Sequence, residues 1–100
     1  MAEWGFLSNH ARTLVCIAHD PGVRLREIAE AVGVSMRSAS NLIDDLTKAG
    51  YVVKQKEGRR NRYEIHGDLP LRESVTRERT IGEVLDVLVV PKDGRRRTQW

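Results

Sequence analysis

An α+β fold is predicted for this chain: three helices, a β-hairpin, then a C-terminal helix. Three observations carry the prediction. Apolar residues recur at helical spacing in three successive segments, closed in turn by Asp20-Pro21-Gly22, Gly33 and Gly50. Only the short turn Gly33-Val34 separates the second segment from the third. The stretch that follows, YVVKQKEGRRNRYEIH, alternates apolar and charged residues about a glycine-containing turn.

The first helix starts behind Ser8, whose hydroxyl suits an N-cap. Ala11, Leu14, Val15 and Ala18 then mark an inward face, and the Asp-Pro-Gly triplet stops the helix. Val23-Arg24-Leu25 reads as a strand stub. The second helix buries Ile28, Ala29 and Val32, and ends at Gly33, where a left-handed residue favours glycine. Ser35 caps a third helix with Ala39, Leu42, Ile43 and Leu46 on one stripe, extended by Ala49 and closed by Gly50. The second and third helices form a helix-turn-helix unit.

Residues 51–56 are predicted as a strand, 57–60 as a turn and 61–66 as the return strand. Tyr63 and Ile65 supply its packing side and Arg62 and Glu64 the other. Thr80 and Glu83 have the spacing of a capping box, which opens a helix carrying Ile81, Val84, Leu85 and Leu88 on one face and Val87, Val89 and Val90 elsewhere. A short helix that is apolar on more than one face is expected to touch two bodies, its own core and a second subunit. The β-branched residues at its end leave a strand as the alternative. Three units follow: residues 1–70 as the principal domain, 71–91 as a C-terminal helix and dimerisation element, and 92–100 as a basic tail.

Composition is that of a globular chain. The 100 residues are 40% hydrophobic and 31% charged, with a net charge of +3. The distribution of charge is more informative. Lys54, Lys56, Arg59, Arg60 and Arg62 face only Glu57 within residues 54–62, and Arg95, Arg96 and Arg97 form a second cluster. Such runs attract polyanions, nucleic acid first. A single cysteine, Cys16, excludes an intramolecular disulfide and argues against a cysteine-built metal site, and it reads as a small packing residue. His10 and His19 are nine residues apart on the first helix, which is not the spacing of a zinc pair. Trp4 and Phe6 precede Ser8, where they would staple the first helix or cover a partner. No nucleophile–base–acid set, glycine-rich phosphate loop or supported pair of carboxylates is present, so neither catalysis nor a cofactor or metal is expected. No apolar run approaches the length needed to span a membrane. A cytoplasmic location is expected.

The residues LREIAEAVGVSMRSASNLIDDLTKAGYVVKQKEGRRNRYEI carry a resemblance. Their order of helix, turn, helix and hairpin resembles a winged helix. LREIAEAVGVS is similar to the first helix and turn, and SASNLIDDLTKAGYV to the recognition helix and its exit into the wing, of MarR-like and ArsR-like bacterial transcriptional regulators, in a small stand-alone form. The resemblance covers residues 8–66. It implies a regulator that binds double-stranded DNA. MarR-type proteins carry long flanking helices that build a dimer and a ligand pocket, whereas here only residues 71–90 follow the wing. ArsR-type metal sensors use a cysteine pair before the recognition helix, and Cys16 stands alone in the first.

The expected DNA-reading end is the start of the third helix. With Ala39, Leu42, Ile43 and Leu46 inward, Ser35, Met36, Arg37, Ser38, Ser40 and Asn41 face out, and a recognition helix reads base edges with its N-terminal residues. Arg37 has the fork for guanine and Asn41 the amide for adenine. Small Ser38 and Ser40 permit close approach and donate to phosphate. On the wing, Arg59 and Arg60 are expected at the tip, with Lys54, Lys56 and Arg62 sharing one face. A homodimer is expected through Ile81, Val84, Leu85, Leu88 and Val89, with two reading ends on an imperfect palindrome. The alternative is a winged helix serving as a protein-interaction or assembly module, with the arginines pairing to an acidic partner. An accessory subunit of an enzyme is a third reading.

Overall fold

The computed structural model describes residues 5–73, 75–76 and 78–89. Trp4, Val90 and the tail with Arg95, Arg96 and Arg97 lie outside the described residues. The element order is α1 (Asn9–His19), α2 (Leu25–Val32), α3 (Met36–Lys48), β1 (Val52–Glu57), β2 (Arg60–Ile65) and α4 (Ile81–Leu88). This is a three-helix body with an antiparallel hairpin and a closing helix, the winged helix anticipated from the sequence.

Local chemistry sets the helix boundaries. Ser8 Oγ accepts from the Ala11 N–H at 3.1 Å, Ser35 Oγ from the Ser38 N–H at 3.0 Å, and Thr80 Oγ1 from the Glu83 N–H at 3.2 Å. Each satisfies one of the donors that a helix start leaves without an intrahelical partner. Glu83 Oε1 accepts in return from the Thr80 N–H at 3.0 Å, completing the capping box. That hydrogen bond, with the Arg79 guanidinium beside it, holds the Glu83 carboxyl below the ordinary glutamate range. At the end of α3, the Tyr51 N–H donates to Leu46 O and the Gly50 N–H to Thr47 O. This is the paired closure that needs a left-handed residue, and Gly50 supplies it with φ +89°.

The core draws on every element. Leu14, Ile17 and Ala18 of α1 meet Ile28, Ala29 and Val32 of α2 and Ala39, Leu42, Ile43 and Leu46 of α3. Tyr51, Val52, Tyr63 and Ile65 close one side. Of the residues expected inward, Leu14 and Ala18 are buried and Ala11 and Val15 half-buried, and Thr13 and Ile17 complete the buried face. Thr13 is tolerated there because its hydroxyl donates to Asn9 O at 2.8 Å.

The stub anticipated at residues 23–25 is not a strand. Val23 is buried, Arg24 is the N-cap of α2, and Leu25 opens the helix. Pairing at that point takes another form: the Tyr63 N–H on the outer edge of β2 donates to Pro21 O at 2.9 Å. One hydrogen bond anchors the wing there without a ladder.

Candidate nucleic-acid interface

The residues exposed at the start of α3 are those that helical spacing predicts to face outward. Met36, Arg37, Ser38 and Asn41 are exposed and Ser40 is half-buried, while Ala39 and Leu42 between them are buried. Arg37 and Asn41 are four residues apart and so stack on one face of α3. Asp44 and Lys48 continue that stripe. Asp44 thus places a carboxylate one turn beyond Asn41 on the exposed face. Asp45 is turned to α1, where its Oδ2 lies 2.8 Å from His10 Nε2. The Ser35 hydroxyl donates to Ser38 Oγ at 3.1 Å while accepting from the Ser38 backbone, so both serines also organise the cap.

The wing differs from expectation in two respects. Its turn is two residues long, Gly58 and Arg59, with Glu57 opposite Arg60. Gly58 has φ +65° and no other turn residue has positive φ, a combination that fits a type II′ turn. Arg59 is thus at the tip, but Arg60 is the first residue of β2. Its Nη2 donates to Gly22 O at 2.7 Å, which draws the guanidinium back to the α1–α2 turn.

The second difference concerns the wing's faces. Directly opposed residues of an antiparallel pair share a face. Lys54 opposes Tyr63 and Lys56 opposes Asn61, whereas Arg62 opposes Gln55. Lys54 and Lys56 therefore stand on one face, with Tyr63 and Ile65 at its buried base, and Arg62 stands on the other. The expected single basic face is corrected: an even-length turn pairs even positions of β1 with odd positions of β2. The Arg62 face also carries Arg60, Glu57 and Glu64, so its charges balance. Gln55 Nε2 donates to Glu64 Oε2 across it at 3.4 Å. On the first face Tyr63 is buried, and burial raises its phenol pKa against an opposing hydrogen bond with Asn61.

α4 corrects the expected contact surface. Ile81, Leu85 and Val89 are 9%, 2% and 6% exposed and belong to this chain's own core, where α4 packs against α1. The interval of four residues between them makes one stripe, and that stripe is spent inside. Val84 and Leu88 are half-buried, and Val87 is 70% exposed. A helical stripe is legible in sequence; which of two apolar stripes turns inward depends on how α1 receives it.

Among the described residues, no cluster of His, Cys, Asp or Glu is arranged to hold a metal ion, and no helix is long and apolar enough to cross a membrane. No curated protein matches the chain. The model of the MarR family matches residues 4–62, which run from before α1 through most of the wing. With the match spanning more than half of the sequence, and with three helices, an exposed recognition-helix start and a hairpin in the family's order, the chain belongs to the MarR family.

Proposed function

We propose that this chain is a cytoplasmic transcriptional regulator that reads a specific site on double-stranded DNA. The chain carries the fold of a family of DNA-binding regulators rather than enzymes. The observation that carries the finer reading is the exposed end of α3, where Arg37, Ser38 and Asn41 project beside an exposed wing. In this reading Ser35, Met36, Arg37, Ser38, Ser40 and Asn41 enter the major groove, and Arg37 and Asn41 select bases. Lys54, Lys56 and Arg59 supply the wing's phosphate affinity. Arg62 shares its face with two carboxylates and contributes less.

Two copies of the chain would set two reading ends about 34 Å apart, one helical turn, on an imperfect palindrome. With Ile81, Leu85 and Val89 inside the monomer, the contact surface is the outward strip of Val84, Val87 and Leu88. The same strip is the one observation that favours an assembly module as a second reading.

The test is selection of a preferred duplex from a randomised pool, followed by titration at several salt concentrations. The observed log K should fall linearly with log salt, and Arg59→Ala should reduce the slope by about one unit. Arg37→Ala should cost about 1–3 kcal/mol of discrimination at one base pair. Binding that is flat with salt, or a pool that yields no preferred sequence, would sink the reading.

A further inference from the structure

The large apolar side chains that stand exposed among the described residues are Phe6, Met36, Val75 and Val87. Of these, Met36 is the one placed in the helix-turn-helix unit, as the first residue of α3 behind the Ser35 cap. Val34, two residues before it, and Leu25, which lines the same shallow groove, pack partly buried against the core. Met36 is 47% exposed. The fold therefore leaves much of this side chain in water, on an end of α3 that is otherwise polar. We propose that Met36 is a specificity residue that covers the C5-methyl group of a thymine in the major groove. The proposal rests on the DNA-binding reading and deepens it by naming the base feature that this residue selects.

Three features support the assignment. The first is reach. The Ser35 hydroxyl donates to Ser38 Oγ at 3.1 Å and accepts from the Ser38 N–H at 3.0 Å, so these short side chains are engaged in the cap. Met36, Arg37 and Asn41 are the larger side chains exposed at this end. The second is chemistry. A thioether donates no hydrogen bond and accepts only weakly, so the donor and acceptor edges of the bases offer it little. The one apolar group that a base pair presents in the major groove is the thymine methyl. Arg37 and Asn41 carry the donors that suit guanine and adenine, and Met36 supplies the apolar contact that they lack. The third is adaptability. An unbranched side chain with three rotatable bonds can shape itself to a methyl group without movement of the helix.

The experiment uses the intact chain and replaces each thymine of the preferred duplex, one at a time, with deoxyuridine, which lacks only the C5-methyl group. The parent should lose about fourfold in affinity at one thymine of each half-site, the contribution of one methyl-sized group withdrawn from water. That thymine should lie within about two base pairs of the position where Arg37→Ala loses discrimination. Consecutive Cα atoms are about 3.8 Å apart and base pairs about 3.4 Å apart, so adjacent residues meet adjacent pairs. Met36→Ala should bind the thymine and deoxyuridine duplexes alike, so the loss of the side chain and the loss of the methyl are not additive. It should hold the deoxyuridine duplex about as well as the parent does, which also shows that the variant is folded. Met36→Leu, apolar and close in volume, should keep the preference for thymine. A parent indifferent to every deoxyuridine overturns the methyl contact and leaves the DNA reading standing. So does a Met36→Ala variant that still prefers thymine, or a Met36→Leu variant that does not. A selection that yields no preferred duplex overturns both.

Discussion

The Cys16 side chain is half-buried against the core on α1. Burial raises its thiol pKa, with a backbone hydrogen bond opposing the shift. Since the thiolate is the nucleophile, less of it is present at neutral pH than on an unstructured chain. Iodoacetamide should therefore modify the folded protein several-fold more slowly than the same chain in denaturant at equal pH. Equal rates would show the thiol to be open to solvent. The same reasoning from surroundings separates Asp44 from Asp45, adjacent carboxylates with different duties. One stays exposed on the Arg37 and Asn41 face, where in the proposed reading it ends the DNA-facing edge, and the other meets His10 at 2.8 Å and ties α3 to α1. Sequence distinguishes Arg37 and Asn41 from their buried neighbours, because helical spacing fixes which side chains share a face. It does not distinguish Asp45 from Asp44, because the partner of Asp45 lies 35 positions away.

The wing is joined to the body at its outer edge by Tyr63 N–H to Pro21 O and by Arg60 to Gly22 O. Arg59 at the turn and Arg60 beside it thus do different things. Arg60→Ala should speed hydrogen exchange at the Tyr63 amide in the protein alone, whereas Arg59→Ala should leave it unchanged. Identical exchange in both variants would remove the orienting role from Arg60. The three serine and threonine caps were legible because an N-cap is settled within four residues. The stub at residues 23–25 was misread because the segment's pairing reduces to one bond with β2, some forty positions on, and that bond leaves no periodicity. The basic face was misread because counting by twos holds within a strand; across a hairpin the turn length decides which positions meet.

At the scale of the molecule, α4 completes the core. Leu85→Ala should cost about 2–5 kcal/mol and lower the melting temperature accordingly, because Leu85 is 2% exposed. Val87→Ala should leave the melting temperature within a degree or two of the parent, as exposed sites change stability little. In the dimer reading it should also weaken association, measured by sedimentation. The opposite pattern, a stable Leu85→Ala and a destabilised Val87→Ala, would mean that α4 docks through its other stripe. That this helix is apolar on two sides was legible; the choice of inner side was made by α1 and by backbone lacing on either side of the helix start. Gly82 N–H donates to Gly67 O, Ile81 N–H to Leu69 O, and Leu71 N–H to Arg79 O. Those bonds close the base of the stretch between Leu71 and Arg79, so an insertion within it leaves the laced backbone in place. Lengthening such a closed loop costs only fractions of a kcal/mol per doubling, roughly 0.6. It is therefore a permissive place to graft an epitope or a fluorophore, a label carried outside α3 and the wing.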